Sequence, residues 1–211
     1  MTEVALSSQA TPAGVKTANI TAKAGLVVLL AFALLFPDLG HMRDKAAGLR
    51  AVGYPLASFA VPVLWWMYWK DRISYPSIPD LLVTITCFTD VLGNRMNLYD
   101  TVEWFDDWMH FMNTGFLAAA VVLLTLPRTS TRPRVIERSL AFGATAAIAW
   151  EIAEYYAFIA GSTERQFAYT DTLSDLALGT LGALVAACVV HRLWHQGESP
   201  NRAPLSLNSS T

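Results

Sequence analysis

The chain has 211 residues, 54% hydrophobic and 15% charged, against roughly 25% charged in soluble domains. A net charge of −2 offers no electrostatic footprint for nucleic acid. The length fits one domain; a mean hydropathy of +0.36, with seven Trp and seven Tyr, points to an all-α polytopic membrane bundle surrounded by lipid.

Residues 1–19 are rich in Ser, Thr, Ala and Pro and offer little to bury, so a disordered cytoplasmic tail is expected there. The same holds for 196–211, leaving 20–195 as the helical bundle. Six apolar stretches follow in chain order: Ala24–Leu39, Ala51–Trp69, Leu81–Gly93, Trp108–Pro127, Leu140–Gly161 and Leu173–Trp194. Spanning about 30 Å of hydrocarbon takes roughly 20 helical residues. The first stretch is short, has Lys23 at its start, and is followed by no A-x-A-like cleavage site, which argues for a span over a signal peptide. The third spans only if its helix begins at Pro79, capped by Ser77, and runs on toward Asn94. Trp65, Trp66, Tyr68 and Trp69 read as an interfacial belt, and the Arg128–Arg138 loop as a topology determinant that touches anionic lipid.

With six spans, ten Lys and Arg fall on the side of the termini and five on the other, so both termini are expected in the cytoplasm. The acids fall the opposite way, with twelve at or near the outer ends and five on the inner side. Acids contribute little to topology, so this bias points to a use for carboxylates on the outer side.

Three helices bring polar groups to one depth. In the fourth span Asp107, His110 and Thr114 follow i, i+3, i+7, and Asp106, His110 and Asn113 follow i, i+4, i+7; each set forms one stripe. The fifth ends in Trp150-Glu151-Ile-Ala-Glu154-Tyr155. The sixth opens with Asp171 and Asp175 above a small-residue stripe of Gly179, Gly182 and Ala186, suited to close helix packing. Asp90, ending the third span, is placed to join them, whereas Asp100, Glu103 and Glu164 read as solvated loop residues. Charged groups at membrane depth face the bundle interior or a wet cavity. Acids gathered on adjacent helices repel unless a proton, a cation or a basic side chain sits among them, and Arg165 is the nearby base in sequence.

Three readings stay open: a bound divalent cation, a shared-proton network, or packing polarity. A metal set of Asp107, His110, Glu151, Glu154, Asp171 and Asp175 offers one imidazole and several carboxylates, which suits Mg²⁺, Mn²⁺, Zn²⁺ or iron. In a membrane enzyme acting on a lipid or envelope precursor, His110 would be ligand or general base and Asp107 its partner. A non-catalytic protein would use the same network to bind a cation, relay protons or recognise an envelope ligand. His191 and His195 read as interfacial anchors, His41 as a loop residue, and Cys87 and Cys188 as reduced core residues.

Asp107-Trp-Met-His110-Phe111, Trp150-Glu151-Ile-Ala-Glu154-Tyr155 and Tyr169-Thr-Asp171-Thr-Leu-Ser-Asp175-Leu, with Gly179, Gly182 and Ala183, resemble the YjdF-like family of small bacterial inner-membrane proteins. A looser version of the same order is similar to VanZ-like proteins, which tend to carry Asn in the last helix where this chain has Gly179. The resemblance spans about 100–186 and implies a bacterial cell-membrane location. It implies no known reaction.

Overall fold

A computed structural model of the chain describes residues 12–42, 45–161, 166 and 168–196. The described residues are all-helical, without a strand. The helices are α1 (Ala13–Leu35), α2 (Ala47–Leu64), α3 (Ser77–Arg95), the short α4 (Leu98–Thr101), α5 (Phe105–Thr125), α6 (Arg132–Glu154) and α7 (Ala168–His195). Pro55 and Pro62 each remove an N–H from α2, which continues past Leu64 in a π-helical turn at Trp65–Trp69. A second π-helical turn, Tyr155–Ile159, extends α6.

The long helices run alternately up and down. Parallel pairs therefore keep a constant register: on α1 and α3, Asn19 and Lys23 meet Asp80 and Thr84, and Arg95 reaches over the Phe32 ring. On α5 and α7, Asp107 meets Ser174 and Gly115 meets Gly182. The α1–α2–α3 and α5–α6–α7 groups join where α3 packs on α5. Leu26, Leu30, Cys87 and Val91 fill the first core; Ala119, Val122, Leu126, Val135, Ala187 and Val190 fill the second. The outer surface is apolar, with Val28, Leu35 and Leu56 all largely exposed, as a lipid-facing surface requires.

Four helices are long and apolar enough to cross a membrane: Ala13–Leu35, Ala47–Trp69, Phe105–Thr125 and Ala168–His195. Helices α3 and α6 lie among them but do not combine that length with that apolarity. At 28 residues α7 is about 42 Å long and outreaches a hydrocarbon core of about 30 Å.

Several boundaries differ from the sequence expectation. Residues 13–19, read as tail, are helical, because Asn19 is buried against α3 and donates to Asp80. Ser77 is the first residue of α3, after Pro76, and makes no side-chain cap. The expected tail segments 1–11 and 197–211, together with Glu164 and Arg165, lie outside the described residues.

A buried polar knot ties α1, α2 and α3 at the end of the bundle that carries the α2–α3 connection. Lys23 Nζ donates to Asp80 Oδ1 at 2.9 Å, to Thr84 Oγ1 at 2.7 Å and to the Ser58 carbonyl. Asn19 and the Tyr75 hydroxyl donate to the other Asp80 oxygen. Burial and the Asp80 carboxylate hold the Tyr75 phenol above its usual range, so it remains a donor.

Candidate functional site

The opposite end carries two adjoining clusters. The first surrounds Asp90 on α3, which accepts from Arg50 Nε at 3.0 Å, Tyr54 at 2.7 Å and Tyr99 at 2.8 Å. Arg50 and Tyr54 are one turn apart on α2, so both reach the same carboxylate. Burial and Asp90 keep the Tyr99 phenol above its usual range. The Trp150 ring of α6 stacks on Tyr54, with the Arg50 guanidinium 5.9 Å from its centre. Asp90 is thus committed to Arg50, which corrects the expectation that it joins the acid–histidine set.

The second cluster surrounds His110 on α5. Its Nε2 lies 3.6 Å from Asp106 Oδ1 and 3.8 Å from Asp175 Oδ1 on α7; its Nδ1 lies 3.6 Å from Glu151 Oε1 on α6. These separations exceed hydrogen-bond range, so the acids surround the imidazole without bonding to it. Glu151 and Asp175 are buried, and Glu151 Oε1 has no hydrogen-bond partner. Asp106 stands at the rim, with its side chain 41% exposed. One set of Asp106, His110 and Asp175, and another of His110, Glu151 and Glu154, each place their donor atoms within 4.8 Å of one another. Donors held about 2.1 Å from a single ion lie roughly 3–4 Å apart, so little movement would close either set on one.

Of the residues expected from sequence, the structure gathers His110, Glu151, Glu154 and Asp175. Asp107 and Asp171 lie outside the two donor sets: both are exposed, and Asp107 accepts from Ser174 Oγ at 2.9 Å. The helix phase explains the exchange. Asp106, one full turn before His110, takes the inward position assigned to Asp107. Arg165, the base expected from sequence, lies outside the described residues. Arg50 is a buried base at this end, paired with Asp90. Its signal was a single Arg one turn from Tyr54 near the start of an apolar stretch. Asp100 pairs with Lys45 at the exposed rim, consistent with a loop residue. His41 is exposed in the α1–α2 connection, and the His191 and His195 rings lie 4.5 Å apart at the other end. Cys87 and Cys188 are free thiols.

An apolar exterior around internal charged clusters defines a multi-pass helical membrane protein. The family described as "Predicted membrane protein (DUF2238)" matches residues 22–196, and the chain belongs to it. This is the YjdF-like family that the three motifs resemble; the VanZ likeness is not shown. No curated protein and no solved structure matches the chain.

Proposed function

We propose that this protein holds a divalent cation between Asp106, His110, Glu151, Glu154 and Asp175, on the outer side of a bacterial cell membrane. The observation that carries this reading is the unpartnered, buried Glu151 Oε1 facing an imidazole that no surrounding acid bonds. A buried acceptor of this kind is costly unless a cation or proton serves it. One imidazole with several carboxylates suits Mg²⁺, Mn²⁺, Zn²⁺ or iron. A buried carboxylate stands at each ring nitrogen to anchor an ion, Glu151 at Nδ1 and Asp175 at Nε2, and the half-exposed Asp106 leaves the Nε2 side approachable from the rim. Structural metal sites are closed, whereas catalytic ones keep an open position. That contrast favours a metal-dependent enzyme acting on a lipid or envelope precursor. Elemental analysis of protein purified in detergent without chelator should find close to one equivalent of a divalent metal. Protein lacking any stoichiometric metal would remove this reading. The second reading is a shared-proton network without turnover, favoured by carboxylates facing both nitrogens of His110.

The same proposal includes six spans with cytoplasmic termini. Helices α3 and α6 cross in it despite their charges, because Asp80 and Asp90 on α3 are paired with Lys23 and Arg50 inside the bundle. Those two bases are therefore not loop charges. Setting them aside leaves nine Lys and Arg against four, still favouring inner termini. Reporter fusions after Arg134 and at Thr211 should read cytoplasm, and a fusion at Glu164 should read outside. A cytoplasmic signal at Glu164 would overturn the outward-facing pocket.

A further inference from the structure

We infer that the bundle carries a binding site for a phospholipid at the end opposite the His110 pocket, with its headgroup at Lys16 and an acyl chain along α2. A cleft of about 590 Å³ opens there between α1, α2 and α3, lined by Lys16, Asn19, Lys23, Phe59, Tyr75 and Asp80 among others. A second, apolar groove of about 340 Å³ is lined by Pro55, Leu56, Phe59, Ala60 and Val63. Phe59 lines both, so the cleft and the apolar groove adjoin at its ring. From Val63 back to Pro55 the groove follows about 12 Å of helix toward the middle of the bundle.

The charges select the occupant. Lys23 and Asp80 neutralise one another, and Lys23 spends its donors on Asp80, Thr84 and the Ser58 carbonyl. Lys16, exposed about two turns before it, makes no ion pair among the described residues. Among the described residues the cleft therefore presents the Lys16 cation without an acidic partner, beside a wall of Ile20, Phe59 and Pro62. A cation above an apolar groove on the membrane-facing surface complements an anionic phosphate carrying acyl chains. Proline rings contribute to the walls as well: Pro62 lines the cleft and Pro55 the groove. With the termini cytoplasmic as proposed above, the headgroup lies in the inner leaflet, and the site is independent of any cation at His110.

The test titrates the full-length protein, in one fixed detergent, with dioctanoyl phosphatidylglycerol, with dioctanoylglycerol and with inorganic phosphate, reading the melting temperature. Phosphatidylglycerol is expected to raise it saturably, and the other two to leave it unchanged. Lys16→Gln should weaken the phosphatidylglycerol effect about fivefold, since it removes one basic group near an anionic headgroup. Val63→Trp, at an exposed position on the groove wall, should abolish the effect without altering melting in lipid-free detergent. Equal stabilisation by dioctanoylglycerol would show an apolar groove indifferent to phosphate, and equal stabilisation by phosphate alone an ion site without a lipid. Either result overturns the inference, as would full phosphatidylglycerol stabilisation of both variants.

Discussion

Lys23→Met is expected to destabilise the protein by about 3–5 kcal/mol, because it leaves the Asp80 carboxylate buried without its cation. Asp80 is fully buried and the Lys23 side chain only 15% exposed, so the carboxylate would lose its counter-charge in a largely desolvated site. The remaining donors to Asp80, from Asn19 and Tyr75, are neutral and cannot offset a full charge. Asp80→Asn on its own should also destabilise, because it leaves the Lys23 ammonium with neutral acceptors only: the Asn oxygen, Thr84 and the Ser58 carbonyl. Combining the two should cost less than their sum, since neither charge then remains. Thermal or denaturant unfolding of the detergent-purified single and double variants measures this coupling. Additive losses would mean that the two groups do not form one buried pair.

Gly182→Leu should unfold the α5–α7 contact. A Cβ at Gly182 would stand 2.0 Å from the Phe111 carbonyl oxygen and 2.9 Å from its carbon. The obstacle is backbone, so no rotamer change relieves it, and one helix must move. Overpacking costs typically about 1–3 kcal/mol, and an unyielding backbone contact belongs at or above the top of that range. Gly182→Ala should already destabilise, although alanine is the better helix former by about 1 kcal/mol. Gly53→Ala in α2, where a Cβ meets nothing within 4 Å, supplies the control and should be neutral or stabilising. Phe111 follows His110 directly, so separating α5 from α7 also draws His110 away from Asp175. Melting curves that leave Gly182→Leu equal to wild type would place this face against lipid.

The sequence made the helical membrane class legible because apolar stretches and aromatic belts register without tertiary information. The small-residue stripe of α7 was legible for a similar reason: Gly179, Gly182 and Ala186, at helical spacing, have few uses other than close approach; both glycines are buried and Ala186 is partly so. Pairing was harder to read. Lys23 and Arg50 were counted as topology charges, while their partners Asp80 and Asp90 lie 57 and 40 residues away in the chain. A charge inside an apolar stretch demands a partner, yet nothing local names it. The choice between Asp106 and Asp107 turned on helix phase: adjacent residues point about 100° apart, and only packing against α6 and α7 decides which faces His110.

The most direct measurement of the cation pocket is the melting temperature of wild type, His110→Ala, Asp175→Asn and the double variant, each titrated with Mg²⁺, Mn²⁺ and Zn²⁺. Wild type should be stabilised saturably by at least one of these ions, because a ligand bound only by the native state raises the melting temperature. Each single substitution should remove most of that shift, and the second should then remove little more, since both act through one ion. A wild type indifferent to all three ions, or substitutions at His110 and Asp175 that add independently, would contradict a shared cation site.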